Sequence, residues 1–318
     1  MEETKRLRLL YLPLLVSGGA SEQYDLWQAF QKEYDVWMFD HLNHADPSNE
    51  LIRIMAVFKP DIVHIQASDK LDIEVLESLK KQYPDTKFTQ WTGDSRPYPI
   101  PYVVRYGKIM DATFLATGQG QKEQYEAVTG KPVFYWQHAV ADWQFLPIPD
   151  EVERHGIVMA CNFYDDLPLS DARRELAIRL SKEFEDFYVY GNGFTPNMRA
   201  GGRVEWRAAP ALYNRSLITV GMSCMDKVEG YYSDRPLIAM ASGTCHVTNY
   251  YPGAYQQFEN NVDCVFYRGV DDAIELIKEL IKNPQRRRAI GIAGLQKVRS
   301  EHMWSNRVQF YKEMVAKL

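Results

Sequence analysis

Two doubly wound α/β domains in tandem are predicted from three observations. Short apolar, β-rich runs alternate with segments of helical period along the whole chain, the pattern of parallel strands joined by covering helices. The alternation breaks over residues 142–150, where Pro147 and Pro149 fall, and restarts at Ile157. At 318 residues the chain exceeds what one core usually holds, so two domains of about 150 residues are expected. The boundary is placed at residue 150, which gives domains 1–150 and 151–318.

In the first domain strands are expected at residues 9–15, 35–39, 61–65, 87–91, 112–115 and 133–136. Lys5, Arg6 and Arg8 ahead of the first run imitate a signal peptide, but Pro13 interrupts the run and no cleavage motif follows, so a buried strand is expected. Leu51, Ile54, Met55 and Phe58 share one helical face ahead of Pro60, which predicts a crossover helix over 49–58, and 72–82 repeats the design. The second domain has strand signals at 157–160, 187–190, 217–220, 244–248 and 264–267. Asn283 and Pro284 read as an N-cap and first-turn proline of a helix reaching Arg299, with Arg286, Arg287 and Arg288 on its solvated face. A last helix is expected over 304–317, packing back on the first domain.

The composition excludes several classes. With 37 basic against 42 acidic residues, the net charge of -5 gives no general attraction to nucleic acid or anionic membranes. No apolar stretch approaches the ~20 residues that span a bilayer. Cys161, Cys224, Cys245 and Cys264 include no C-x-x-C pair, which suits reduced thiols and predicts a cytoplasmic protein. H-E-x-x-H, Walker A and G-x-S-x-G motifs are lacking, which argues against metalloproteases, NTPases and serine hydrolases.

The residues that can carry chemistry fall after strand ends, where open α/β sheets bind ligands. Gly18 and Gly19 follow the first strand and precede a helix, a place for an anion or a hydroxyl, or simply a chain turn. Asp94, in Trp91-Thr92-Gly93-Asp94, is either a base for a hydroxyl proton or a turn cap. His138 stands beside the linker, where an imidazole serves proton transfer or local hydrogen bonds. Gly191 and Gly193 end a strand and permit either a tight turn or close backbone approach to a ligand.

The richest stretch is Glu229-Gly230-Tyr231-Tyr232-Ser233-Asp234-Arg235-Pro236, leading into an apolar helix that ends at Ser242 and Gly243. Pro236 marks a helix start, whose free N–H groups, with the Ser233 hydroxyl and the Arg235 fork, suit a diphosphate. The alternative is an ordinary surface pairing of Arg235 with a carboxylate such as Asp234. The doublets Asp165-Asp166 and Asp271-Asp272 read as solvated acids rather than metal ligands.

Tyr232-Ser233-Asp234-Arg235, followed by Ala239-Met240-Ala241-Ser242-Gly243-Thr244, resembles the C-terminal donor module of GT-B glycosyltransferases, in particular the CgeB-like, spore-maturation family. Tyr251-Pro252-Gly253, Asn283-Pro284-Gln285-Arg286 and Glu301-His302 extend the resemblance, which is strongest over residues 213–311. It implies the GT-B fold, two Rossmann-like domains facing each other across a cleft. It also implies sugar transfer in that cleft from a nucleoside diphosphate sugar to an acceptor hydroxyl, with no essential metal and no cofactor. Arg235 would meet the donor phosphate, Gly191 would lie under the nucleotide, and Gly18 and Gly19 would face the donor sugar. Glu229, Tyr232, Ser233 and Gly243 complete the implied donor set, with Asp94 and His138 as catalytic residues.

Ile238 stands where many retaining members carry a ribose-binding glutamate, so no stereochemical course is assigned. The acceptor is left open among small molecules, glycans, proteins and modified DNA bases. A noncatalytic nucleotide-sugar-binding protein and a nucleotide-sugar epimerase on the same fold are the competing readings.

Overall fold

The computed structural model describes residues 6–15, 21–225 and 227–318. They divide into two compact units, Met1–Gln137 with Trp304–Leu318, and His138–Met303.

The first unit runs β1 (Arg8–Leu12), α1 (Glu22–Glu33), β2 (Asp35–Met38), α2 (Pro47–Phe58), β3 (Ile62–Gln66), α3 (Ile73–Gln82), β4 (Lys87–Thr92), α4 (Pro101–Gly107), β5 (Ala112–Leu115), α5 (Gln119–Thr129) and β6 (Val133–Tyr135). Its sheet is parallel in the order β2-β1-β3-β4-β5-β6. Leu9, Leu10, Tyr11 and Leu12 are all fully buried, as expected of a strand covered on both faces. The expected continuation to residue 15 is absent because Pro13 has no N–H for the ladder.

The second unit holds β7 (Ile157–Asn162), α6 (Ser170–Glu183), β8 (Phe187–Asn192), β9 (Ala200–Gly202), α7 (Ala209–Asn214), β10 (Ile218–Gly221), α8 (Asp234–Ala241), β11 (Cys245–Asn249), β12 (Val265–Tyr267), α9 (Val270–Lys282) and α10 (Pro284–Glu301). Its sheet order is β12-β11-β10-β7-β8-β9, again parallel. The chain winds outward one way from β7 and the other way from β10, so the topological switch point lies between these two strands. The exposed edge strand β9 has no counterpart among the predicted strands, since Ala-Gly-Gly carries no apolar signal.

The stretch 142–150 packs within the second unit: Gln144 is buried, and the Arg299 guanidinium lies 4.6 Å from the Phe145 ring centre. The last helix, α11 (Trp304–Val315), belongs to the first unit. Its Tyr311 hydroxyl lies 2.8 Å from Thr89 Oγ1, and Trp304 meets Trp91 and Trp136 edge-on. Asn283 caps α10 as its sequence position predicts, accepting from Arg286 N–H at 3.2 Å. The arginines behind it do not all face solvent. Arg287 is buried and donates to the Leu280 carbonyl at 2.8 Å, because the last carbonyls of α9 lack partners along the helix.

Each sheet buries a histidine against a threonine of the next strand: His64 Nδ1 lies 2.9 Å from Thr89 Oγ1, and His246 Nδ1 lies 2.9 Å from Thr219 Oγ1. Burial pushes both imidazoles down to about 3. An unfolded histidine titrates near ~6.5, so between these values the unfolded chain binds more protons. Stability is therefore fully present above about pH 6.5 and is lost as pH falls toward 3, by up to ~1.4 kcal/mol per pH unit for each histidine. Thermal melts between pH 6.5 and 4.5 should show a shallower acid loss in His64→Gln than in the wild type; equal slopes would contradict this origin.

Candidate functional site

The carboxyl edge of the second sheet gathers the main candidates. After β10 the chain loops to Ser233, the extended N-cap of α8, whose side chain makes no cap bond. Ser233 thus leaves the first-turn N–H groups of α8 uncapped, and Asp234 and Pro236 occupy that turn as propensity favours. Arg235 is half-buried and reaches Ser233 Oγ only at 3.5 Å. Among the described residues no carboxylate ion-pairs with it. Desolvation works against its charge, but Asp234, Tyr213 and Cys161 together hold its pKa above the ordinary value.

Gly191 joins this edge through strand register, since it is paired with Cys161 on β7. Its φ is 138°, and a Cβ there would stand 1.9 Å from the Cys161 carbonyl oxygen, so only glycine fits. Burial pushes the Cys161 thiol up to about 11, opposed by the charges of Arg173 and Arg235. The strand tails add an exposed polar chain: Asn192 Nδ2 donates to Asn162 Oδ1, and Asn162 Nδ2 to the Tyr164 hydroxyl, both at 3.2 Å. Gly191, Ser233 and Arg235 are therefore brought to one edge.

Other candidates of the same unit sit elsewhere. Tyr232 is only 1% exposed, with its hydroxyl 3.2 Å from His302 Nδ1, so it belongs to the core beneath the α8 start. Gly243, at φ 67°, turns the chain from α8 into β11. It lies past the far end of the helix, about 15 Å from Ser233 at 1.5 Å per residue. Glu229 accepts a long hydrogen bond from Gln256 Nε2 at 3.5 Å. His138 is buried, and Ile238 points into the core with 1% exposure. Gly18 and Gly19 lie outside the described residues.

In the first unit Asp94 follows β4 and is exposed. Its backbone N–H donates to the Thr92 side-chain Oγ1 at 3.2 Å, so this turn contact does not use the Asp94 carboxylate. A neighbouring pair escaped the sequence reading: His41 Nε2 lies 2.8 Å from Ser68 Oγ, both buried. These residues follow β2 and β3, which flank β1, so the pair spans the carboxyl end of β1. Burial pushes His41 down to about 4, with Asp40 opposing, and its Nδ1 has no hydrogen-bond partner among the described residues. Two residues 27 apart in sequence carry no motif that reveals such a pairing. Arg173, on α6, was likewise overlooked; it donates to the carbonyls of Asn162 and Met222.

The acidic doublets are used structurally: Asp165 pairs with Arg174 and Asp271 with Arg179, each at 2.6 Å. Among the described residues no three His, Cys, Asp or Glu side chains cluster as metal ligands. None of their helices is long and apolar enough to cross a membrane.

Residues 171–313 match the family described as glycosyl transferase-like. No curated protein sequence matches the chain. Among solved structures, HepE of Anabaena in complex with UDP and glucose superposes at a TM-score of 0.70 with 10% identity, covering 98% of this chain and 100% of that one. Sucrose-phosphate synthase from Thermosynechococcus elongatus gives 0.69 at 11% identity, over 98% and 100%. A glycosyltransferase from Rickettsia africae gives 0.66 at 14%, over 98% of each chain. The two six-stranded parallel sheets are those of the GT-B fold, and the stretch that matches the glycosyl transferase-like family includes Arg235 and Gly191.

Proposed function

We propose that the protein is a glycosyltransferase of the hexosyl class, moving a sugar from a nucleoside diphosphate sugar to an acceptor hydroxyl. The observation that carries this reading is Arg235, a half-buried guanidinium at the start of α8 that, among the described residues, ion-pairs with no carboxylate. In the reaction the acceptor oxygen bonds to the anomeric carbon as the bond from that carbon to the diphosphate oxygen breaks. The acceptor proton passes to a base, for which Asp94 is the candidate the sequence offers. The charge that develops on the diphosphate is taken up by Arg235 and the α8 N–H groups, so no metal is required for it. Gly191 leaves the nucleotide room against the strand end. UDP in the HepE complex favours a uridine donor, and four buried free thiols suit a cytoplasmic setting.

A thermal-shift screen of UDP, GDP, dTDP and CDP tests the donor side. One diphosphate, UDP first, should stabilise the protein by about 2.7 kcal/mol at a hundredfold excess over its Kd. No shift with any of the four would contradict the proposal. The burial of Ile238, which leaves no ribose-binding acid at that position, supports a second reading as a noncatalytic nucleotide-sugar-binding protein. Release of sugar from any donor rules that reading out.

A further inference from the structure

His302, the C-cap of α10, is buried with 6% exposure, and three contacts hold it in place. Its N–H donates to the Val298 carbonyl at 2.9 Å, and its own carbonyl accepts from Val140 N–H at 3.0 Å. Its ring stacks on Phe258, with centroids 5.0 Å apart and planes at 25°. From this base Nδ1 lies 3.2 Å from the hydroxyl of Tyr232, the residue directly before the Ser233 N-cap of α8. Phe258 also meets the Tyr232 ring edge-on at 5.5 Å, so both rings rest on the same wall.

The far end of α8 meets the same helix. A Cβ at Gly291 would stand 2.5 Å from the Gly243 carbonyl oxygen, and one at Gly294 would stand 3.3 Å from Met240 Cγ. Helices α8 and α10 therefore pack antiparallel, with close backbone approach past the end of α8 and the Tyr232–His302 hydrogen bond before its start. Residues 231–233 belong to no helix or strand, so side-chain anchors rather than a ladder decide where α8 begins. Groups that take up developing charge work only when the shell behind them fixes their place to within about 0.5 Å.

We infer that His302, acting through Tyr232, is a positioning residue that sets the start of α8, and with it Arg235, for the leaving diphosphate. The inference rests on the nucleotide-sugar reading above. Both residues are buried, so they act through Ser233 and Arg235 rather than on the donor itself.

The experiment compares Tyr232→Phe, His302→Leu and His302→Asn in the intact protein, by thermal melts and by steady-state kinetics with whichever donor is turned over. Tyr232→Phe removes only the hydroxyl and should lower kcat about tenfold with donor KM nearly unchanged, since a misplacement of about 1 Å costs up to ~100-fold. His302→Leu should match it. His302→Asn, whose amide takes the place of Nδ1, should restore most of the rate. The free diphosphate carries the charge that the leaving group acquires, so Tyr232→Phe should weaken its binding in the wild-type background and add nothing once Arg235→Ala is present. Variants that melt lower yet keep the wild-type kcat would show a merely structural bond and overturn the inference. An equal loss of diphosphate affinity in both backgrounds would overturn it too. Should His302→Leu not fold, Tyr232→Phe and His302→Asn decide between these outcomes. If Arg235→Ala loses turnover while Tyr232→Phe does not, the inference fails and the donor reading stands. If the wild type turns over no donor, both fall.

Discussion

Arg235→Ala is expected to lower kcat/KM for donor turnover by about 100- to 1000-fold, the usual cost of removing one preorganised group from a developing oxyanion. The effect should fall mainly on kcat, because the diphosphate carries more negative charge as the anomeric bond breaks than it does in the intact donor. Folding should be little affected: among the described residues the side chain makes one hydrogen bond, at 3.5 Å to Ser233 Oγ, and ion-pairs with no carboxylate. Arg235→Lys should recover only part of the rate, since an ammonium is a point charge without the planar fork. Steady-state kinetics with the donor found in the screen, alongside a thermal melt, measure both. Undiminished turnover by the alanine variant would remove Arg235 from the mechanism.

The largest stability effect is expected at Gly191. With φ at 138° and the Cys161 carbonyl oxygen 1.9 Å from where a Cβ would stand, Gly191→Ala must push β7 and β8 apart at their paired ends. The obstacle is backbone, so no side chain can turn aside. A destabilisation of roughly 3 kcal/mol or more follows, among the larger values for single substitutions. Urea unfolding should report it as a lower midpoint with an unchanged slope. Donor binding should weaken as well, because Gly191 shares its edge with Ser233 and Arg235. A variant as stable as the wild type would show that this close approach is not required.

These two residues also show how far the sequence could be read. Apolar periodicity reports burial, so it located the cores of the strands well and their ends poorly. The runs at 157–160 and 187–190 continue through Asn162 and Asn192, and the polar tails that carry the edge chemistry left no apolar trace. Edge strand β9, three exposed small residues, was invisible for the same reason. The helix start at Pro236 was legible because proline and a preceding serine have local backbone preferences. Tyr232 was not, since whether a tyrosine faces a ligand or His302 depends on α10, some 70 residues later. Arg173 was hidden by its type: an arginine inside an ordinary amphipathic helix reads as solvated, whereas this one is buried and donates to the carbonyls of Asn162 and Met222.

The central claim, that the second unit holds a nucleoside diphosphate sugar for transfer, is tested most directly by incubating the protein with UDP, GDP, dTDP and CDP sugars labelled in the sugar. The nucleotide and sugar products are then followed by NMR. The account predicts that at least one donor yields free nucleoside diphosphate and departed sugar, and that Arg235→Ala suppresses the yield at least 100-fold. Intact donors throughout, or an epimerised sugar still joined to its nucleotide, would contradict it.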